Sequence, residues 1–290
     1  MKLVVASIFK FLFTFSFFRN RFFGIYVKII KPLGILKNSN TITTTQNGVV
    51  FKLQLGDWIS DNLFLLGQYE NDELLFIQKH LNPHSIFIDI GANIGVYSLS
   101  VFKMLPKAVI IAFEPFTKNY QKLAHNIVLN NAITIKLEQL AITDKDTDID
   151  IFYNSAEDNA GMASSYLQTH DLKETIKATS LDNYLSDKQC ENIDFIKIDI
   201  EGNEYPALLG MRNTLLKHKP ILLVEIEEQI LVNTPYTSQN IMDYLYSLNY
   251  NPYKLNNLSL SSNLQVNSST NFIFVHNESI LITNKFNVFS

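Results

Sequence analysis

From Ile86 onward, short apolar runs alternate with longer stretches of helical spacing, a pattern that predicts crossover units and a mostly parallel sheet. Ile86 to Ile90 reads as the first strand and Ile94 to Met104 as the helix after it. Ala108 to Phe113 reads as the second strand, ending at Glu114 and stopped by Pro115. Thr117 is expected to cap a helix reaching Leu129, with Lys118, Lys122 and His125 on its wet side, and Ile133 to Leu137 to form a third strand. Alternation near Asp148 to Tyr153 and Lys173 to Ala178 predicts an inserted pair of strands, after which Ser180 opens a short helix. Ile193 to Ile198 is the next strand, Pro206 to Leu216 a helix, Ile221 to Ile226 a fifth strand and Ser238 to Leu248 a helix. Asn251 to Leu255 and Phe272 to Val275 follow with no helix between them. Such a closing hairpin sets one antiparallel strand inside the sheet, an ending that dinucleotide-binding domains, which keep adding crossover helices, do not share.

With 290 residues, 47% of them hydrophobic, the chain can bury a full core. Its one cysteine, Cys190, excludes an intramolecular disulfide and a thiolate metal cluster. The net charge of −4 is unevenly spread. Residues before Asp57 hold eight Lys or Arg and no acid, which leaves 16 basic against 28 acidic residues in the remainder. An acidic remainder argues against binding to a phosphate backbone, so no nucleic-acid partner is expected.

The basic part, residues 1–56, reads as an aromatic-rich segment attached to a domain over 57–290, with the Thr/Asn-rich stretch Asn38 to Asn47 as a soft joint. Leu3 to Phe9 and Phe11 to Phe18 are too short, and too interrupted by Lys10, to span a bilayer. The Arg-Asn-Arg that follows does not suit signal cleavage. Two readings stay open: residues 1–37 touch a membrane interface peripherally, or they form a helix packed on the domain or on a second subunit. The expected location is cytoplasmic, with membrane association as the open addition; the oligomeric state is not legible.

In Asp89-Ile90-Gly91-Ala92-Asn93-Ile94-Gly95, glycines sit where a strand turns into a helix and where the backbone must approach a ligand closely. The helix start offers unpaired amides and a positive dipole end, while Asp89 would repel a pyrophosphate and suit an ammonium. Glu114, at the next strand tip, can accept hydrogen bonds from both hydroxyls of a ribose. Together these residues describe a site for an adenosyl amino acid. In Phe195-Ile196-Lys197-Ile198-Asp199-Ile200-Glu201, the period of two sets Lys197 partly inside the sheet, in need of a carboxylate partner such as Asp199, Asp182 or Glu225. Asp199, Glu201 and Glu225 meet at one mouth, where they can serve as a general base or hold a divalent cation; no metal site is indicated. His80 and His84 straddle Pro83 and lack a third ligand. Phosphate-loop and nucleophile-elbow patterns are absent from the sequence. Tyr205, Tyr236 and Tyr253, with Tyr166, suit half-buried packing or stacking on a sugar.

The run Phe87 to Gly95, then Phe113-Glu114-Pro115, Ser180-Leu181-Asp182 and Ile196 to Glu204 resembles the FkbM methyltransferase family in order and spacing over roughly residues 60–276. The resemblance implies a Rossmann-like α/β class I methyltransferase sheet, seven-stranded and mostly parallel, with one antiparallel strand near the C-terminus. It also implies S-adenosylmethionine as cofactor and a hydroxyl on a sugar, glycan or natural product as acceptor. Carried over by motif, Asp89, Gly91, Asn93 and Gly95 line the methionine end, Glu114 the ribose, and Ala141 joins the cofactor-binding set. Asp199, Glu201 and Glu225 are the catalytic candidates, with Lys197, Glu204, Asn159, Ser164 and Ser165 on the substrate side. Asn203 stands where the family often has a small residue. A nicotinamide-dependent sugar oxidoreductase and a non-catalytic donor-binding relative are the competing readings.

Overall fold

A computed structural model describes residues 2–153, 172–188, 192–256, 258–267 and 269–279. The chain begins with helices α1 (Lys2–Leu12), α2 (Ser16–Arg19) and α3 (Phe22–Ile25), a π-helical turn at Tyr26–Ile30, and a hairpin of β1 (Ser39–Thr44) and β2 (Val50–Leu55). Helices α4 (Trp58–Leu66) and α5 (Asn71–His80) lead into β3 (Ile86–Ile90), α6 (Val96–Met104), β4 (Val109–Phe113), α7 (Thr117–Leu129) and β5 (Lys136–Glu138). Strands β6 (Ala141–Ile142), β7 (Thr147–Tyr153) and β8 (Leu172–Thr179) form a separate small sheet. Then come α8 (Leu181–Leu185), β9 (Phe195–Ile198), α9 (Glu204–Leu209), α10 (Arg212–His218), β10 (Ile221–Glu225), α11 (Glu228–Leu231), α12 (Ser238–Ser247), β11 (Tyr250–Asn256), β12 (Ser259–Ser261) and β13 (Asn271–His276).

The main sheet has the order β12-β11-β13-β10-β9-β3-β4-β5. Strands β5, β4, β3, β9 and β10 pair in parallel, and β13 enters antiparallel between β10 and β11. The seven expected strands are therefore joined by an eighth, the three-residue edge strand β12. Chain order reverses between β3 and β9, the place in such a sheet where a crevice lies beyond the strand carboxyl ends. Both faces of the sheet are covered, which is why β3, β9 and β10 read as near-continuous apolar runs.

Several boundaries differ from those expected. Ile133 is 82% exposed, and the third strand starts only at Lys136. Thr117 is the first residue of α7 rather than its cap, because its hydroxyl is drawn to Glu174 on β8. The single helix expected over 206–216 is two helices: Asp182 accepts the backbone amides of Asn213 and Thr214, each at 2.8 Å, and so starts α10 afresh.

The N-terminal segment packs on the domain, and residue 56 does not divide two cores. Phe13, Phe22, Tyr26 and Ile30 share one buried cluster with Leu63, Phe76 and Phe87. Tyr26 donates a 2.8 Å hydrogen bond to Asp61, whose carboxyl burial pushes up to about 6. The outer edge of β2 is covered by α7: Asn126 and Asn130 accept the amides of Lys52 and Val50 at 2.9 and 2.8 Å. Asn126 also donates to the Ile94 carbonyl at the start of α6, so one side chain joins hairpin, α7 and glycine turn. Replacing it by alanine strands the part-buried Lys52 amide and the buried Ile94 carbonyl, and Asn126→Ala is expected to cost about 2–3 kcal/mol in denaturant unfolding. A loss under about 0.5 kcal/mol would show that the asparagine is not the link.

Candidate active site

A cavity of about 810 Å³ opens at the point where strand order reverses. Its floor comes from four strand tips: Gly91 after β3, Glu114 after β4, Asp199 and Glu201 after β9, and Glu225 at the end of β10. Ala141, Ile151 and Ile176 of the small sheet wall one side, and Trp58, Tyr69 and Glu70 the other.

Gly91 sits at φ +80°, and a Cβ there would lie 1.9 Å from the Asp199 carbonyl oxygen. Only a residue without a side chain lets the two strand tips touch. The amides of Gly91 and Ala92 both donate to the Phe113 carbonyl, at 3.0 and 2.9 Å, which folds the turn back over β4. Asn93, at φ +50°, presents its amide to Glu114 Oε2 at 2.7 Å, and Phe116 donates to Oε1 at 3.0 Å. Burial pushes Glu114 up to about 7 against the pull of these two amides. Gly95 does not line the cavity; its missing Cβ would lie 2.3 Å from Leu123 Cδ1, so its role is to let α6 pack on α7.

Asp89 is fully buried and stands outside the cavity, contrary to the expected contact with an ammonium group of the ligand. Its Oδ2 accepts the amide and hydroxyl of Ser98, at 3.1 and 2.6 Å, and its Oδ1 lies 3.7 Å from Lys197 Nζ. Lys197 likewise lies beneath the cavity floor, 4% exposed. It donates to the Gly91 carbonyl at 2.8 Å and pairs with Asp199 at 3.2 Å, over the Tyr97 ring. Burial alone would lower its pKa, but Asp199, Asp89 and Glu70 hold it above the usual lysine value. Of the partners considered, Asp199 is the one found; Asp182 caps α10, and Glu225 accepts from Thr270 at 2.9 Å. Glu204 also lies off the cavity, accepting the amides of Ile200 and Gly202 at 3.1 and 3.2 Å and shaping the loop that carries Glu201. Asn159, Ser164, Ser165 and Tyr166 fall outside the described residues.

The carboxylates at the mouth divide by charge state. Although burial opposes it, Lys197 and a hydrogen bond with Glu225 hold Asp199 below the ordinary aspartate value. Burial and the Asp199 charge push Glu225 up to about 10, and burial, Asp199 and Glu204 push Glu201 up to about 9. Near neutral pH, Glu225 is therefore protonated and donates to an ionised Asp199. Glu201 sits at φ +54°, a strained backbone position, and lines the cavity.

The sequence did not single out Glu70, Glu73, Tyr69 or Asn271. Tyr97 donates to Glu70 at 2.6 Å, Asn271 donates to Glu70 and Glu73 at 3.3 and 3.4 Å, and burial pushes Glu70 up to about 7. An acid in the first turn of a helix, as Glu73 is, is an ordinary dipole partner, which hid its part in the site. Among the described residues, no group of three or more His, Cys, Asp or Glu is placed to hold a metal ion.

Because Glu225 and Glu201 titrate higher when folded than unfolded, the stability they contribute is present below about pH 4.5 and drains away as pH rises toward 9 to 10. The melting temperature is expected to fall between pH 6 and pH 9, and Glu225→Gln, which cannot ionise, is expected to flatten that fall. An unchanged slope in the variant would place the titration elsewhere.

The family model described as the methyltransferase FkbM domain matches residues 89–252. Methyltransferase 1 of Beauveria bassiana is 26% identical over 145 residues, covering 44% of this chain and 58% of the relative. The 2-O-methyltransferase NoeI of Sinorhizobium fredii is 25% identical over 179 residues, covering 57% and 72%. Methyltransferase sdnD of Sordaria araneosa is 28% identical over 161 residues, covering 46% and 62%. The chain thus spans less than two thirds of the first and the last of these relatives. Among solved structures, methyltransferase FkbM from Methylobacillus flagellatus aligns with a TM-score of 0.49 and 16% identity, covering 74% of this chain and 52% of that one. The family match runs from within β3 to within β11, more than half of the chain, and the protein belongs to the methyltransferase FkbM family.

Proposed function

We propose that the protein transfers a methyl group from S-adenosylmethionine to a hydroxyl on a sugar, glycan or natural product. The observation that carries this reading is that one cavity is lined by the Gly91 turn, by Glu114 held by the Asn93 and Phe116 amides, and by Asp199, which Lys197 holds below the ordinary aspartate value. The residues suit the donor. Gly91 leaves the turn free of a side chain, Asn93 stands before the α6 start, and each Glu114 oxygen keeps a lone pair for a ribose hydroxyl. Leu140, Ala141 and Ile142 offer an apolar flank for a purine. When bound, S-adenosylmethionine would supply a sulfonium-activated methyl carbon for an acceptor oxygen to attack in line, with the thioether S-adenosylhomocysteine as the leaving group.

The protein's own part is positioning and proton handling. Asp199 accepts a hydrogen bond from the acceptor hydroxyl and takes its proton as the new ether bond forms. Lys197 keeps that carboxylate charged and fixed, and the Glu225 hydrogen bond shares its negative charge until Asp199 takes the acceptor's proton. Protonated Glu201 donates toward an acceptor oxygen, which a second ionised carboxylate would repel. Ile149, Ile151 and Ile176 keep water from the reacting side. The name of the Sinorhizobium relative, a 2-O-methyltransferase, supports an oxygen acceptor.

Calorimetric titration with S-adenosylhomocysteine tests the donor side, with NAD as the competing ligand. The thioether is expected to bind and NAD not to, and Glu114→Ala to weaken binding at least roughly tenfold. Preference for NAD would overturn the reading. On a panel of glycoside and polyol acceptors, Asp199→Asn is expected to lower kcat by about 10²–10⁴-fold while the thioether still binds. Full turnover by that variant would remove Asp199 from proton transfer.

A further inference from the structure

The N-terminal segment has two faces. Ala6, Phe13, Phe22, Tyr26 and Ile30 are buried against the domain. Val4, Ile8, Phe11, Phe17, Phe23 and Leu33 are each more than half exposed, and Val4, Ile8 and Phe11 follow helical spacing on α1. Phe11 continues edge-on into Phe15, with ring centroids 5.4 Å apart, so the apolar stripe runs on past the end of the helix. Packing on the domain therefore accounts for one face of this segment and leaves the other as an apolar patch in water.

The charges on the segment indicate what covers that patch. Lys2, Arg19, Arg21, Lys28, Lys31 and Lys37 accompany it, no acid occurs before Asp57, and among the described residues none of these six lies within 4 Å of a carboxylate. A second copy brought face to face would set like charges opposite each other. An anionic bilayer presents acyl chains to the rings and phosphates to the basic heads at the same depth. Among the described residues, no helix is long and apolar enough to cross a membrane, so the fit is to the interface.

The patch also reaches the cavity. Trp58, the only tryptophan of the chain, lines the cavity, is 39% exposed, and meets exposed Phe23 edge-on with ring centroids 6.2 Å apart. Lys31 lines the same rim.

We propose that the exposed face of residues 2–33 docks the protein on an anionic membrane, with the Trp58 and Lys31 rim of the cavity against the lipid surface. The docking does not depend on the methyl-transfer reading, and it brings the opening within reach of molecules held in the same surface.

The test is sedimentation of the full chain with vesicles of phosphatidylcholine containing about one third phosphatidylglycerol, against pure phosphatidylcholine. Binding to the anionic vesicles is expected, weaker by roughly tenfold or more on the neutral ones and in the Arg19→Glu, Arg21→Glu variant. A Phe11→Ser, Phe17→Ser, Phe23→Ser variant, altered only at exposed rings, is expected to lose a similar factor. Fluorescence of Trp58 is expected to shift to the blue and to be quenched by brominated acyl chains. Absence of vesicle binding, full binding by either variant, or self-association of the chain in place of binding overturns the docking. Binding without quenching of Trp58 overturns its orientation. Titration of the phenylalanine variant with S-adenosylhomocysteine reads the donor site separately, so failure of the docking and failure of the methyl-transfer reading remain distinguishable.

Discussion

The site depends on a lysine ammonium held under the sheet. Lys197 sits opposite Asp89 in the β3–β9 pairing and meets three oxygens: the Gly91 carbonyl and Asp89 from the neighbouring strand, and Asp199 two residues on. An ammonium in that place is tolerable only with this shell, and the shell is ordered only with the ammonium in it. Asp89 reaches on to the amide and hydroxyl of Ser98 in α6, so the cation ties together strand, glycine turn and helix. Its charge also decides the chemistry above. Burial, with Asp199 kept ionised beside them, drives Glu225 and Glu201 to hold their protons, and the mouth carries both a hydrogen-bond acceptor and donors.

The rest of the fold keeps this arrangement in register. On one face of the sheet, α7 presses on Gly95 and grips the N-terminal hairpin through Asn126 and Asn130, which fixes the glycine turn from behind. On the other, the loop carrying Glu201 is pinned by Glu204 and followed by helices whose restart is set by Asp182. The small sheet approaches through Glu174, which binds the start of α7. The tips of β3 and β9 are thus held from both faces of the sheet, and they meet where Gly91 approaches the Asp199 carbonyl and Lys197 joins the two.

Much of the framework was legible in the chain. Ile86 to Ile90 has its strand bounds in sequence, and the helix to Leu129, the alternating insertion and the Ser180 cap were found where the pattern set them. These signals are local, since strand alternation, helical period and capping act within a few residues. The third strand and the helix from 206 to 216 were misplaced because their limits are set by remote groups: β4 pairing for the first, the Asp182 carboxylate for the second.

The identity of the chemical groups at the strand tips was likewise a property of sequence: glycines where chains must touch, acids where strands end, a lysine inside a buried strand. What each group does was decided by tertiary structure. Asp89 and Glu204 are acids in the right motif that turn inward to amides, a hydroxyl and a cation, while Glu70, which the sequence did not single out, lines the cavity. The contacts responsible join residues far apart in the chain, Lys197 to Gly91 across 106 positions and Asn271 to Glu70 across 201. Charge state and orientation follow from burial and from such partners, and neither is a property of the neighbouring letters.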